Sequence, residues 1–245
     1  MSRLVAWLDR RLYPRHARRW DDDLFRARIL ARLAPGTRVL DLGAGAGIVE
    51  QMDLRGHGAR ISGVDPDPRV LDNPYLDEAR VGVGDAVPYD DASFDLVVSD
   101  NVFEHLERPG AVLAEIARVL RPGGRLLLKT PNRRHYMPLV ARLTPHAFHR
   151  FVNRLRGRDG ADTFPTRYRA NTPEDLRRLA ERAGLAPSTV ELVEGRPEYL
   201  RLTAPTYVLG WLYERIVNAT PRLARYRVLL IAELEKAPAE LRSAA

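Results

Sequence analysis

The 245-residue chain contains no cysteine. That excludes disulfides, thiolate metal sites and a cysteine nucleophile together. Lysine is nearly missing too: Lys129 and Lys236 are the only two among 39 basic residues, and the rest are arginine. Against 32 acids this leaves a formal net charge of +7. A basic balance draws anionic partners when it is concentrated on one face. Most of it reads instead as arginine on solvated helix faces. No run of 18 apolar, uncharged residues occurs, so no transmembrane helix is expected. The arginine-bearing N-terminus lacks a continuous apolar segment and a small-residue cleavage site, and a cytoplasmic protein is expected. No His-Glu-x-x-His or comparable spacing occurs, so no metal is expected.

The most informative stretch is Val39-Leu40-Asp41-Leu42-Gly43-Ala44-Gly45-Ala46-Gly47. Arg38–Leu42 reads as a parallel strand covered on both faces. The alternate glycines allow a tight turn and let the backbone come within contact distance of a ligand. Residues 48–58 are expected to form the first crossover helix, with its leading N–H groups facing that ligand. The dinucleotide fingerprint needs a glycine where Ile48 stands, and no Gly-Lys-Ser/Thr follows, so neither a dinucleotide loop nor a P-loop is present. Asp41, at the end of the strand, would repel a pyrophosphate but suits a cationic amino-acid ligand.

Further along, residues 60–64 read as strand two, closed by Asp65. An acid about 20 residues beyond such glycines is where a ribose diol is gripped. Strand three is expected at 80–83 and strand four at 96–99. Val102-Phe103-Glu104-His105-Leu106 should open a helix that Arg121-Pro122-Gly123-Gly124 stops. Strand five follows at 125–130. Before this core, residues 3–33 form helical pieces broken at Pro14. After it, Thr172-Pro173 starts a helix that ends at Gly184. A sixth strand is expected at 188–194, an unusually apolar helix at 206–217 and a last strand at 227–235.

The glycine stretch resembles motif I of the class I S-adenosylmethionine-dependent methyltransferases. Three later stretches are similar to that family in order and spacing. They are Gly84-Asp85-Ala86, the run from Pro88 through Phe94-Asp95 to Ser99, and Leu120-Arg121-Pro122-Gly123-Gly124-Arg125-Leu126-Leu127-Leu128. Together they span residues 38–132. The resemblance implies an α/β fold: a Rossmann-like, mostly parallel seven-stranded sheet with helices on both faces. Its antiparallel last strand should insert between strands five and six, and a helical cap should follow strand five. The implied divisions are an N-terminal helical segment (1–36), the cofactor-binding core (37–132), the cap (133–171) and the C-terminal half of the sheet (172–245).

The resemblance also implies S-adenosylmethionine as cofactor. Its expected contacts are Asp41, Gly43, Ala44, Gly45, Gly47, Asp65, Pro66, Asp85, Ala86, Asn101 and His105. Asp85 and the Ala86 N–H would read the adenine ring. Tyr13 and Trp20 would either close over the cofactor or, as preferred, pack in the core. His105 doubles as a candidate base, and His146 in the arginine-rich cap is the second candidate catalytic residue. Methyl transfer mainly requires alignment of donor and acceptor, and a base only when a hydroxyl is the acceptor. The expected acceptor is a small or lipid-like molecule, methylated at oxygen in preference to nitrogen or carbon.

Two alternatives stand beside it: methylation of RNA or another polyanion through the cap arginines, and a non-methylating protein that uses the fold as a scaffold. No Asn/Asp-Pro-Pro-Tyr/Phe follows strand four, and the double-glutamate loop of protein arginine methylation is absent. The lack of cysteine excludes cytosine-C5 methylation. No nucleic-acid partner is therefore expected. Residues 206–217 offer either a membrane-surface or homodimer contact or, as preferred, ordinary core packing.

Overall fold

The structure is a computed structural model that describes residues 3–14, 20–143 and 165–238. In chain order the elements are α1 (Arg3–Leu12), α2 (Trp20–Leu30), β1 (Arg38–Leu42), β2 (Arg60–Asp65), β3 (Glu78–Val81), β4 (Phe94–Asp100) and α3 (Pro109–Val119). They continue with β5 (Leu120–Pro131), α4 (Tyr136–Leu143), α5 (Pro173–Arg182), β6 (Leu185–Val193), α6 (Ala204–Ala219) and β7 (Leu229–Lys236). Among the described residues seven strands form one sheet in the order β3-β2-β1-β4-β5-β7-β6. All neighbours pair in parallel except β7, which runs antiparallel to both β5 and β6. The last strand therefore inserts where the family resemblance implied.

Side-chain alternation along these buried strands decides what the site receives. Leu40, Leu42, Val97, Leu126 and Leu128 pack with α3 and α5 on one face. Val39, Leu96, Val98 and Leu127 pack with Phe25 and Ile29 of α2 on the other. By the same period of two, Asp41 and Lys129 belong to the α2 face. The register pairs Asp100 with Lys129 and Asp41 with Val98, so the polar ends of β1, β4 and β5 meet under the start of α2.

Two expected helices are different. Residues 48–58 form no crossover helix, only a three-residue 3₁₀ turn at Glu50–Met52. Arg26 donates to the carbonyls of Gln51 and Asp53, acceptors that a continuing helix would have used. Gly56 and Gly58 both take positive φ just beyond. The helix expected from Val102 starts instead at Pro109, a residue suited to a first helical turn. Asn101 leaves β4 with φ of 54°, and Phe103 and Glu104 are buried in the turns between. Strand three also lies two residues earlier than expected, at Glu78–Val81.

Thr172 caps α5 as expected, its hydroxyl accepting from Asp175 N–H at 3.1 Å. The apolar helix is α6, and it packs only part of its surface. Tyr207, Gly210 and Val217 are buried, while Val208, Leu209, Leu212 and Ile216 are exposed. No helix among the described residues is long and apolar enough to cross a membrane. Of the cap, residues 133–143 and 165–171 are described; His146 lies outside the described residues.

Candidate active site

A cavity of about 550 Å³ lies at the C-terminal ends of β1, β2, β4 and β5, the edge where open α/β sheets take ligands. Its floor is the glycine turn. Gly43, Gly45 and Gly47 all have positive φ. A Cβ on Gly43 would stand 2.2 Å from Val102 Cγ2, and one on Gly47 2.5 Å from Asn73 Oδ1. Gly45 has nothing within 4 Å of its Cβ position, so its backbone is open to a ligand. The turn is clamped from outside by Asn73, whose amide donates to the carbonyls of Ala44 and Gly45 at 2.9 and 3.1 Å. Asp65 holds it from β2, accepting from Gly45 N–H at 2.9 Å and Asp67 N–H at 2.8 Å.

The floor is strongly acidic. Asp41 is 5% exposed and lines the cavity with no hydrogen-bond or ion-pair partner among the described residues. Burial, with Asp100 and Asp65 nearby, pushes its carboxyl up to about 8. Beside it Lys129, fully buried, reaches Asp22, Asp100 and Asp21, the latter two at 3.0 and 3.5 Å. Burial alone would lower the Lys129 ammonium, but these three carboxylates outweigh it and hold it above the ordinary lysine value. Asp100 is raised to about 6 by burial, with Lys129 pulling the other way. With three carboxylates on one ammonium and the unpartnered Asp41 beside them, the floor carries excess negative charge, which suits a cationic ligand.

The far wall comes from other parts of the chain. His135 and Tyr136 follow β5, Glu194 to Tyr199 follow β6, Tyr213 stands on α6, and Val228 and Leu229 open β7. The ring of His135 lies 4.1 Å from that of Tyr136, 5.4 Å from Tyr213 and 5.9 Å from Tyr199. Asn132 fixes the segment before His135 by donating to the carbonyls of Arg225 and Arg227 at 2.9 and 2.7 Å. Trp20 lies flat against Gly195, where a Cβ would sit 2.8 Å from the indole. Arg196, 3% exposed, joins Glu198 and Asp9, and Asp9 accepts from Tyr207 at 2.9 Å. This buried polar network ties α1 and α6 to the wall.

Of the residues expected to hold a cofactor, Asp41, Gly43, Ala44, Gly45, Gly47, Asp65 and Asn101 come together around the cavity. Pro66, Asp85, Ala86 and His105 lie outside its lining. Asp85 is instead ion-paired with Arg108, and the Ala86 N–H closes a turn on Val83 at 3.1 Å. His105 Nδ1–H donates to Pro165 at 3.0 Å, which joins the 102–108 turns to the returning cap segment. Trp20 lines the cavity, whereas Tyr13 packs against Tyr207 and donates to Glu214 at 2.9 Å. Asn73, Asp22, His135, Glu194 and Tyr199 were not singled out as site residues by sequence. Only the Asn73-Pro74 pair and the aromatic content after strand five hinted at any of them. Among the described residues no group of three or more His, Asp or Glu side chains is arranged to hold a metal ion.

Comparison with known proteins places this arrangement in context. The methyltransferase domain family matches residues 13–190. A ubiquinone biosynthesis O-methyltransferase of Xanthomonas axonopodis pv. citri is 31% identical, over 52% of this chain and 61% of that protein. An uncharacterized methyltransferase of Mycobacterium bovis is 37% identical, over 58% of this chain and 54% of the relative. The chain thus spans 54% to 61% of the length of these curated relatives. The crystal structure of an S-adenosylmethionine-dependent methyltransferase from Mesorhizobium loti has a TM-score of 0.57 at 20% identity, covering 89% of this chain and 97% of that one. That last likeness is one of fold.

Proposed function

The chain belongs to the class I S-adenosylmethionine-dependent methyltransferases, and from that premise we propose that it methylates a hydroxyl oxygen of a small or lipid-like acceptor. The observation that carries this reading is the partnerless, buried carboxyl of Asp41 at the floor of a cavity that continues to an aromatic wall. The residues fit the cofactor. Asp41 would receive its amino-acid ammonium, Asp65 its ribose hydroxyls, and the open backbone at Gly45 would let it approach closely. When bound, S-adenosylmethionine supplies an electrophilic methyl group on a sulfonium. The chain's own part is to orient the two reactants and exclude water, an alignment effect worth about 7 kcal/mol or more. Cavities of this volume suit small molecules.

Oxygen is favoured as the accepting atom by the similarity to the Xanthomonas relative, an O-methyltransferase. The polyanion reading loses support at the cavity. Eight carboxylates line it against two arginines, and both arginines are ion-paired, Arg69 with Asp67 and Arg196 with Glu198. A phosphate-rich polymer would meet repulsion there.

The test is transfer of a labelled methyl group from S-adenosylmethionine into a host extract that is then fractionated. Label in the organic or small-molecule fraction is the expected result. Label in nucleic acid or protein would overturn it. No label despite tight cofactor binding would favour a protein that uses the fold as a scaffold.

A further inference from the structure

The wall of the cavity holds a pair of side chains that the cofactor does not need. His135 and Glu194 both face the cavity with side chains only 2% and 4% exposed, and His135 Nε2 lies 3.8 Å from Glu194 Oε2. The His135 Nδ1 accepts the Met137 N–H at 3.3 Å, so a neutral ring carries its proton on Nε2, pointing toward the carboxylate. The separation is too long for a direct hydrogen bond. It suits one oxygen atom that touches both groups at ordinary hydrogen-bond length. Glu194 is held for this, its Oε2 accepting from Val228 N–H at 2.8 Å. Around the pair stand the rings of Tyr136, Tyr199 and Tyr213, a surface that prefers to pack another aromatic ring.

We propose that Glu194 and His135 are the acceptor site for a phenolic hydroxyl, with Glu194 as its base and His135 as the donor that holds the resulting oxyanion. The proposal rests on the oxygen-methylating reading above. In the step, the acceptor O–H bond breaks, the proton passes to the Glu194 carboxylate, and the electron pair stays on oxygen. The His135 Nε2–H donates to that oxygen, which leaves it a strong nucleophile. Titration of the pair agrees with these roles. Burial pushes the His135 imidazole down to about 3, so it stays a neutral donor. Burial pushes Glu194 up to about 8, a stronger base than an ordinary carboxylate, and donation from His135 to the oxyanion has to close the remaining gap to a phenol at about 10. Other groups act on Glu194 as well: Glu214 of α6 raises it, while Arg227 and the Val228 N–H ahead of β7 lower it. Tyr213 of α6 and His135 complete its ionisable surroundings.

The experiment uses the full chain saturated with S-adenosylhomocysteine and catechol as the probe, read by ultraviolet difference spectroscopy. Phenols ionise near pH 10, as tyrosine does, so free catechol stays protonated at about pH 8. Binding should produce the phenolate difference band, growing as pH rises through about 8. Glu194→Gln should still bind S-adenosylhomocysteine, which shows that it is folded, and lose the band at least tenfold. His135→Leu should lower the bound phenolate fraction while leaving catechol in the site. Failure of catechol to bind, binding without the band, or a band that survives Glu194→Gln would each overturn the proposal. The wild-type titration decides the matter even if both variants misfold. Failure of the chain to bind S-adenosylhomocysteine by calorimetry would instead strike the broader reading on which the proposal rests.

Discussion

The floor of the cavity is built from near neighbours in sequence. Asp41 to Gly47 and Asp65 come from the first two strands and the turn between them, and parallel pairing of β1 with β2 brings them together. The far wall is built from distant pieces: His135 after β5, Glu194 after β6, Tyr213 on α6 and Val228 beside β7. The floor is acidic, while the wall is aromatic, with His135 standing among the carboxylates of Glu194 and Glu198. Floor geometry follows from local backbone rules. Wall geometry depends on contacts made elsewhere, such as Trp20 against Gly195 and Asp9 against Arg201 and Tyr207. Substitutions in the two regions should therefore separate cofactor binding from acceptor binding, and remote changes should reach the wall before the floor.

The largest effect is expected just beneath the floor. Lys129→Met leaves Asp22 and Asp100 buried without their shared cation, a loss of about 3–5 kcal/mol. A sharply lower urea midpoint would check it, and an unchanged midpoint would break the picture of acids held together by one shared cation. Next comes Asp41→Ala, which removes a charged partner worth about 2–3 kcal/mol, so S-adenosylhomocysteine affinity should fall roughly 30- to 150-fold. In the same calorimeter Tyr136→Leu should change that affinity by no more than about threefold. Equal losses in the two variants would erase the division between floor and wall.

Gly195→Ala comes third. Its Cβ at 2.8 Å from the Trp20 indole forces a shift, at about 1–3 kcal/mol as for overpacking elsewhere. Catechol binding should weaken more than cofactor binding, because the displaced segment carries Glu194.

The dependence on pH is next in size and has a definite sign. Asp41 must be ionised to pair with an ammonium, so cofactor affinity should fall by up to tenfold per unit as pH drops below about 8. Stability runs the other way. The folded-state values of Asp41 and Glu194, both about 8, lie above their unfolded values, so the folded chain holds protons that the unfolded chain has released. Their contribution is fully present below about pH 4 and is lost as pH rises to about 8. Urea unfolding of Asp41→Asn at several pH values should show a flatter decline over that window. The smallest effect belongs to Leu209→Ser on the outer face of α6, which should alter stability by no more than about 0.5 kcal/mol. A larger loss would mean that this face is covered in solution.

Much of the floor was legible in the sequence. Glycines at alternate positions and acids at strand ends are patterns of spacing, and Asp41 and Asp65 line the cavity where that spacing put them; Asn101, implied by the resemblance, lines it too. Asp85 and Ala86 sat at positions implied only by family resemblance. In the structure Arg108 takes the Asp85 carboxylate and a turn takes the Ala86 N–H. The helices expected at 48–58 and from Val102 do not form where the pattern placed them. Arg26 and the left-handed Asn101 are non-local and conformational influences that hydrophobic periodicity does not register. Of the histidines, His105 drew attention because it stands next to a motif. Yet it is His135, flanked by arginine and tyrosine in an unremarkable stretch, that reaches the cavity.

By itself the sequence determined where the parallel strands lie along the chain, the glycine turn and the placing of Asp41 and Asp65 at strand ends, because a period of two and a fixed spacing act over a few residues. Only the tertiary structure decided that Lys129 would pair with the acids of α2 and that Glu194 would face His135. Those meetings depend on the register of β5 with β4 and on β7 lying between β5 and β6. That register is set by burial across the whole sheet, which no short stretch contains.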